Sequence, residues 1–320
     1  MALLEVEGLK TYFELRRGVV KAVNDVSFSV DRGETLGIVG ESGCGKTMTS
    51  LSVLRLVPSP GKIVGGSIKF DGVDLLGLTE KQMRGYRGKY LSQILQDPLS
   101  SLNPVFSIGN QIGEGIYIHE KVKGKPQRER VIEILKRLGI PAAETRVDDY
   151  PHQFSGGMRQ RVVGAISIAC RPQLIIADEP TTSLDVTIQM QYLNLLKEIQ
   201  KKDNLGMIFI THDFGIVAKM CDRVNVMYAG HIVEEAEVRT MFDSAAHPYT
   251  AALLESVPNV DARAERLTSI MGQPPSLLDI SDRCGFYDRC TKKTKQCEIE
   301  QFPPRVEISP NHYVRCWKYA

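Results

Sequence analysis

Thr35-Leu-Gly-Ile-Val-Gly40-Glu-Ser-Gly-Cys-Gly45-Lys-Thr47 is a short apolar run followed by a loop that fits G-x-x-x-x-G-K-S/T without gaps. The run has strand length and reads as a buried strand feeding a phosphate-binding turn. Gly40, Gly43 and Gly45 let the backbone turn tightly and aim N–H groups inward at phosphate oxygens, with Glu41, Ser42 and Cys44 between them. Met48–Val57 carries Leu51, Leu54 and Leu56 and reads as a helix whose N-terminal dipole adds to the anion site. Lys46 offers a point charge to the β- and γ-phosphates, and Thr47 a hydroxyl to Mg²⁺. By chance alone this pattern is expected in roughly one chain of this length in a hundred. The strand before it and the helix after it make it rarer still.

Two further apolar runs end in polar residues. Gln173-Leu-Ile-Ile-Ala-Asp178-Glu179 closes on two carboxylates, where Asp178 suits Mg²⁺ ligation and Glu179 suits a general base acting on water. A solvated strand end gives the same pattern about as often, so the pair gains meaning only beside the phosphate loop. Gly206-Met-Ile-Phe-Ile-Thr211 ends at His212, at the carboxyl end of a parallel sheet where ligands bind. An imidazole there can hydrogen-bond the γ-phosphate. The other five histidines lack such a setting and are assigned no catalysis.

Phe154-Ser-Gly-Gly-Met158 precedes a helical stretch, Met158–Cys170, whose exposed N–H groups form a second anion site. With it the sequence resembles the ATP-binding cassette (ABC) ATPases. The matching elements follow the family order: Gly40–Thr47, Gln96 in Leu95-Gln-Asp-Pro98, Phe154–Met158, Asp178–Glu179, Ser183-Leu-Asp185 and His212. The resemblance implies an α/β fold: a P-loop (RecA-like) core with an antiparallel β subdomain, a helical subdomain over about 97–158 and a C-terminal cysteine-rich extension. It also implies a head-to-tail dimer that sandwiches two ATP molecules. Ser155, Gly156, Gly157 and Met158 would meet the γ-phosphate held by the partner, and Asp185 would lie across the seam. Gln96 would touch Mg²⁺ and the attacking water. An aromatic near the N-terminus would stack on adenine; Phe13 fits the spacing best and Tyr12 is the alternative. The chain departs from the commoner pattern at Phe154 (Leu), Met158 (Gln) and Cys44 (Ser). These changes leave the backbone donors in place.

With 40 basic against 38 acidic residues, the balance gives no electrostatic case for nucleic acid. No apolar run approaches the roughly 18 residues that would span a membrane, and the N-terminus shows no signal-peptide pattern. A transport role therefore calls for separate membrane subunits, with this chain peripheral on their cytoplasmic face. Leu3–Phe13, Val19–Val30 and Gly66–Phe70 read as antiparallel strands. Val131, Ile134, Leu135 and Leu138 recur at helical spacing, and Asn103 and Pro104 fall near the expected docking groove for a membrane subunit. Val224–Tyr228 and His231–Glu234 flank Ala229-Gly230 like a hairpin. The expected division is a nucleotide-binding domain, 1–240, followed by an extension, 241–320.

Of the seven cysteines, Cys284, Cys290, Cys297 and Cys316 cluster in the extension, separated by 5, 6 and 18 residues. Cys170 and Cys221 read as small buried hydrophobes. Disulfides do not suit a reducing compartment. Zinc and an iron–sulfur cluster both use four thiolates, although zinc usually shows a tighter C-x₂₋₄-C pair. On the residues alone the two stay open. His247-Pro-Tyr-Thr250, Gly272-Gln-Pro-Pro and Cys-x₄-Arg-Cys resemble the tail of dipeptide/oligopeptide importer ATPases, some of which hold a 4Fe-4S cluster there. The resemblance implies that cofactor, with zinc the alternative. It also implies a motor subunit with a second ATPase subunit (itself or a paralogue), two transmembrane permeases and an extracytoplasmic binding protein.

Other readings remain. Nickel, opines and some sugars are handled by related systems. A soluble ABC ATPase of DNA repair or translation would carry a long coiled coil or a second cassette. Only 107 residues separate Thr47 from Ser155, without sustained heptads, and one cassette is present. A redox or metal sensor centred on the cysteines is the third class.

Overall fold

The computed structural model describes residues 2–182, 184–256, 270–278 and 280–320. The chain opens with β1 (Leu4–Leu15), β2 (Gly18–Val30), β3 (Thr35–Val39), α1 (Lys46–Val53), β4 (Gly61–Phe70) and β5 (Val73–Asp74). Then come α2 (Glu80–Tyr86), β6 (Leu91–Ile94), α3 (Pro98–Ser101), α4 (Ile108–Glu120), α5 (Lys125–Arg137), α6 (Ala143–Arg146) and α7 (Gly156–Ile168). The next elements are β7 (Leu174–Asp178), α8 (Val186–Asp203), β8 (Gly206–Thr211), α9 (Phe214–Met220), β9 (Arg223–Tyr228) and β10 (His231–Glu237). The C-terminal part holds α10 (Val238–Ser244), α11 (Pro248–Glu255), β11 (Val306–Ser309) and β12 (His312–Val314). No helix among the described residues is long and apolar enough to cross a membrane.

Two compact units divide the chain. One comprises Met1–Leu3, Val30–Glu34 and Gly77–Phe209. In it β6 and β7 run parallel, from Leu91 opposite Leu174 to Ile94 opposite Ala177, with β8 following β7 in strand order. Every residue of β7 and β8 is buried, which is why both read as unbroken apolar runs. Val131, Ile134 and Leu135 of α5 form the buried stripe expected from their spacing, against α4 and α7.

The second unit comprises Leu4–Ser29, Thr35–Leu76 and Ile210–Ala320. It contains the expected antiparallel sheet, in the order β2-β1-β4-β5. It also contains strands β11-β12-β10-β9-β3, of which β3 and β9 are parallel. The expected Ala229-Gly230 hairpin is present as β9 and β10.

Three local outcomes differ from the expectations. α1 stops at Val53, short of Val57. Arg55 adopts a left-handed φ of 53°, Leu56 N–H bonds Leu51 O and Arg55 N–H bonds Ser52 O, which together make a Schellman stop. The helix expected from Met158 starts two residues earlier, because Ser155 caps it by accepting from Met158 N–H at 3.4 Å. The hairpin of β11 and β12 was not expected; its signal is Ser309-Pro310-Asn311, with Asn311 at φ 60° in the turn.

The hairpin is anchored on a buried carboxylate. Glu234 accepts from His312 Nε2 at 2.8 Å, Ala246 N–H at 2.7 Å and His247 N–H at 2.9 Å. Beside it His231 stacks on Phe302, with centroids 3.7 Å apart. Tyr12 donates to Asn24 Oδ1, which turns the Asn24 amide nitrogen toward His231 Nε2 at 3.2 Å and makes that nitrogen the acceptor. Burial, then Arg315, pushes the His231 pKa down to about 3. Because its folded pKa is depressed, the unfolded chain binds the extra proton between about pH 3 and the ordinary value of about 6.5. Stability from this residue is complete above that window and is lost as pH falls through it, at about 1.4 kcal/mol per unit. In urea titrations from pH 6 to pH 4, His231→Gln is expected to flatten the slope by about that amount; an unchanged slope contradicts the assignment.

Candidate functional site

In the second unit the phosphate loop leaves β3 and enters α1. Gly40 and Gly45 have φ of 156° and 113°, and a Cβ on them would lie 2.2 Å from Met227 O and 2.3 Å from Ala22 O. Glycine is therefore required at both by packing as well as by turn geometry. Gly45 also caps α1 without a side-chain hydrogen bond, as an anion site at a helix start requires. Lys46 is buried and its Nζ donates to Gly40 O at 2.8 Å and Glu41 O at 3.1 Å, so the loop holds its cation centrally. Ser42, Gly43 and Thr47 are exposed and Met48 is half-buried. The Cys44 thiol is buried under the loop, and burial raises its pKa. The sulfur fills space here.

Phe13 is half-buried in the same unit, its ring edge against Gly61 and Val57. The Tyr12 hydroxyl is committed to Asn24 at 2.6 Å. His212 is exposed at the end of β8, just before Asp213, which caps α9 through Gly215 and Ile216 N–H groups.

In the first unit the β6–β7 register sets Gln96 beside Glu179, each two residues beyond a paired position. Gln96 Nε2 donates to Glu179 Oε2 at 3.1 Å, and Thr182 Oγ1 donates to the same oxygen at 3.1 Å. Glu179 has a left-handed φ of 45°, an uncommon conformation for a side-chain-bearing residue and a frequent one at working sites. Asp178 is buried at the strand end.

Phe154 is buried and anchors the start of α7, while Ser155 and Gly156 are exposed. The two glycines differ. A Cβ on Gly157 would meet Ile188 Cγ2 at 2.6 Å, so α7–α8 packing requires that glycine. A Cβ on Gly156 would meet nothing within 4 Å among the described residues. Met158 is half-buried and its N–H is held by Ser155. Asp185 caps α8 through Ile188 N–H at 3.0 Å. Ser183 lies outside the described residues.

The C-terminal cysteines Cys284, Cys290, Cys297 and Cys316 line one cavity in the second unit, and all four are free thiols. Burial, with the other three sulfurs adding to it, pushes the Cys284 thiol up to about 12. Among the described residues no group of three or more His, Cys, Asp or Glu side chains is gathered so as to hold a metal ion. His247 also borders the cavity. Its Nδ1 accepts from Tyr249 N–H at 3.1 Å and caps α11, which leaves the ring proton on Nε2. Sequence reading singled out His247-Pro-Tyr-Thr250 and Arg289 without a task for either. The structure places Tyr249 and Arg289 on Glu41 of the phosphate loop.

The strand order, the loop and the Gln96–Glu179 pair define an ATP-binding cassette, an ATPase. Residues 23–182 match the ABC transporter family, and residues 233–297 match the family described as oligopeptide/dipeptide transporter, C-terminal region. Within the cassette class the chain belongs to the oligopeptide/dipeptide transport ATP-binding proteins. It is 48% identical over 317 residues to the oligopeptide transport ATP-binding protein OppD of Bacillus subtilis, spanning 98% of this chain and 88% of that one. The dipeptide transport ATP-binding protein DppD of Haemophilus influenzae is 45% identical over 316 residues, 99% of this chain and 95% of its own. Among solved structures, the dimeric ATP-binding cassette MJ0796, in a post-hydrolysis state with ADP and Pi, has a TM-score of 0.67 at 23% identity. That match covers 74% of this chain and 99% of that one, and it shows the fold. CbiO1 from Clostridium perfringens has a TM-score of 0.65 at 28% identity over 76% of this chain and 91% of its own.

Gly45→Ala is expected to destabilise the chain by about 1–3 kcal/mol in urea unfolding, since φ and the Ala22 carbonyl both oppose a Cβ. Wild-type stability in that variant contradicts the loop geometry.

Proposed function

We propose that this chain is the ATP-hydrolysing subunit of a peptide importer. The carrying observation is the 3.1 Å hydrogen bond from Gln96 to Glu179, which joins the glutamine expected at Mg²⁺ and the attacking water to the expected base. Peptide as cargo is supported by the relatives' names and by the likeness of the C-terminal region.

The roles follow from the chemistry of each group. Gly40, Glu41, Ser42, Gly43, Cys44, Gly45, Lys46, Thr47 and Met48 bind the phosphates, with Lys46 leaving its carbonyl partners for the β- and γ-oxygens. Phe13 stacks on adenine, a choice supported by the commitment of the Tyr12 hydroxyl to Asn24. Thr47, Gln96 and Asp178 would each offer an oxygen to Mg²⁺, a hard cation that offsets phosphate charge. Glu179 orients and deprotonates water, held at one oxygen by Gln96 and Thr182. His212 binds the γ-phosphate.

The partner is a second ATPase subunit, either a copy of this chain or a paralogue. Ser155, Gly156, Gly157, Met158 and Asp185 face the nucleotide held by that partner. Support comes from Gly156, an exposed helix-start glycine that no packing among the described residues requires. Two permease subunits would sit on an apolar stretch of the first unit. There Leu99, Val105 and Phe106 are 65, 71 and 51% exposed, beside a groove of ≈ 520 Å³ lined by Phe106, Gln111 and Tyr117. On this reading the chain is peripheral, on the cytoplasmic face of the membrane.

For the cysteine cavity we favour an iron–sulfur group, with zinc the alternative. Zinc needs four sulfurs at ~2.3 Å from one ion, whereas a 4Fe-4S cluster takes one thiolate at each of several irons. His247 Nε2 and Trp317 Nε1 are buried at the cavity with no partner among the described residues. Both are N–H donors, matched to an acceptor-rich group of sulfides and thiolates. Cys284, Cys290, Cys297 and Cys316 would hold it. When bound it supplies a one-electron couple, which ATP hydrolysis does not use, so its task here is to hold the tail.

Glu179→Gln is expected to lower turnover at least ~100-fold while retaining ATP in a dimer on size exclusion. Hydrolysis at the wild-type rate removes Glu179 as the base. Protein purified without oxygen is expected to be brown, with equal iron and acid-labile sulfide. A colourless protein with stoichiometric zinc overturns the cluster.

A further inference from the structure

One peptide unit of the phosphate loop is held at both ends. The Gly40 carbonyl accepts from Lys46 Nζ at 2.8 Å, and the N–H of the same peptide, on Glu41, donates to Tyr249 Oη at 2.9 Å. The Glu41 carboxylate is gripped in a fork by Arg289, Nη1 to Oε2 at 2.6 Å and Nη2 to Oε1 at 3.0 Å. Arg289 is fixed in turn: Nη1 also reaches Tyr228 Oη at 3.1 Å, and Nε donates to Met271 O at 3.0 Å. Its side chain is 6% exposed. Tyr228, Tyr249 and Phe286 pack ring on ring beneath it, with centroids 4.4 to 5.3 Å apart. Tyr249 is 208 residues from Glu41 and Arg289 is 248. Both belong to the tail.

The fork has two consequences for a phosphate site. An ionised Glu41 without a partner would set negative charge one residue from Gly40, where phosphates must approach; the guanidinium cancels it. Tyr249 fixes the plane of the Gly40–Glu41 peptide, and that plane decides where the Lys46 amine is held.

We propose that Arg289 and Tyr249 are positioning residues for ATP binding, through which the C-terminal tail presets the phosphate loop by way of Glu41. The inference rests on the ATPase reading and adds a determinant that lies outside the nucleotide motifs. A tail merely glued to the surface would share these contacts, but its loss would leave nucleotide affinity untouched. A positioning role acts on binding, so it moves KM for MgATP and spares kcat at saturation.

The test is steady-state hydrolysis by the full chain against MgATP concentration. Arg289→Gln is expected to raise KM roughly tenfold and Tyr249→Phe several-fold, with kcat within about twofold of wild type. Arg289→Lys, which keeps the charge and loses the fork, is expected to fall between wild type and Arg289→Gln. With Glu41→Gln in place, Arg289→Gln should change KM little further, because both act through one pair. Tyr249→Phe removes a single oxygen and keeps the ring packing, so it serves if Arg289→Gln does not fold. Wild-type KM in Tyr249→Phe and the folded Arg289 variants, or a fall in kcat with KM unchanged, overturns the inference alone. Hydrolysis that survives Lys46→Ala overturns the ATPase reading and this inference with it.

Discussion

The cation at the centre of the phosphate loop cannot be left to find its own place. Lys46 is buried, and burying an ammonium without oxygen partners is costly. The loop supplies two of its own carbonyls, Gly40 O and Glu41 O. Those carbonyls point inward only because Gly40 and Gly45 tolerate positive φ against the carbonyls of Met227 and Ala22. The first is followed by the hairpin residue Tyr228, and the second lies on β2. The loop is thus shaped by the strands around it, and they include β9, whose hairpin partner β10 leads on to the tail.

The two glycines of the signature show how function and packing can be separated on one helix turn. Gly157 is explained within the chain by Ile188. No contact among the described residues explains Gly156, and an exposed glycine at a helix start costs backbone entropy without a return from those residues. Ser155 sharpens the contrast, because its hydroxyl is already the cap of α7. An anion arriving from outside would meet N–H groups aligned by that cap, so the cap and the anion site are one construction. Met158 fits this arrangement, since its backbone N–H is what the cap uses and its side chain is not called upon.

Much of the core was legible because burial on both faces leaves an unbroken apolar run. Thr35–Val39, Leu174–Asp178 and Gly206–Thr211 are all buried, and each was readable as a strand. The Gln96–Glu179 contact was legible through the family pattern, and parallel register explains it physically. The end of α1 was not legible. A Schellman stop at Arg55 uses a residue with no turn preference, and Leu56 keeps the helical spacing while standing 47% exposed. The tail contacts were illegible for another reason. Arg289 and Tyr249 each act as single residues across more than two hundred positions, and no local period records such a pairing.

The cysteine cavity and the phosphate loop share one turn of chain. His247 caps α11 with Nδ1 and borders the cavity with a buried Nε2 that has no partner among the described residues, while Tyr249, two residues on, turns its hydroxyl to the loop. Arg289 stands next to Cys290 in the same way and reaches Glu41. Four free thiols around a cavity are a weak anchor, because protonated sulfur forms weak hydrogen bonds and Cys284 is held protonated by burial. A group that binds all four would replace that weakness with covalent ties among Cys284, Cys290, Cys297 and Cys316. The ties would close the tail on both sides of Arg289. The residue that grips Glu41 would then be ordered before nucleotide arrives, and the entropy of ordering it would not be charged to ATP binding. A group held there would have no need to exchange electrons in order to matter to hydrolysis. It would matter by keeping Arg289 where Glu41 is.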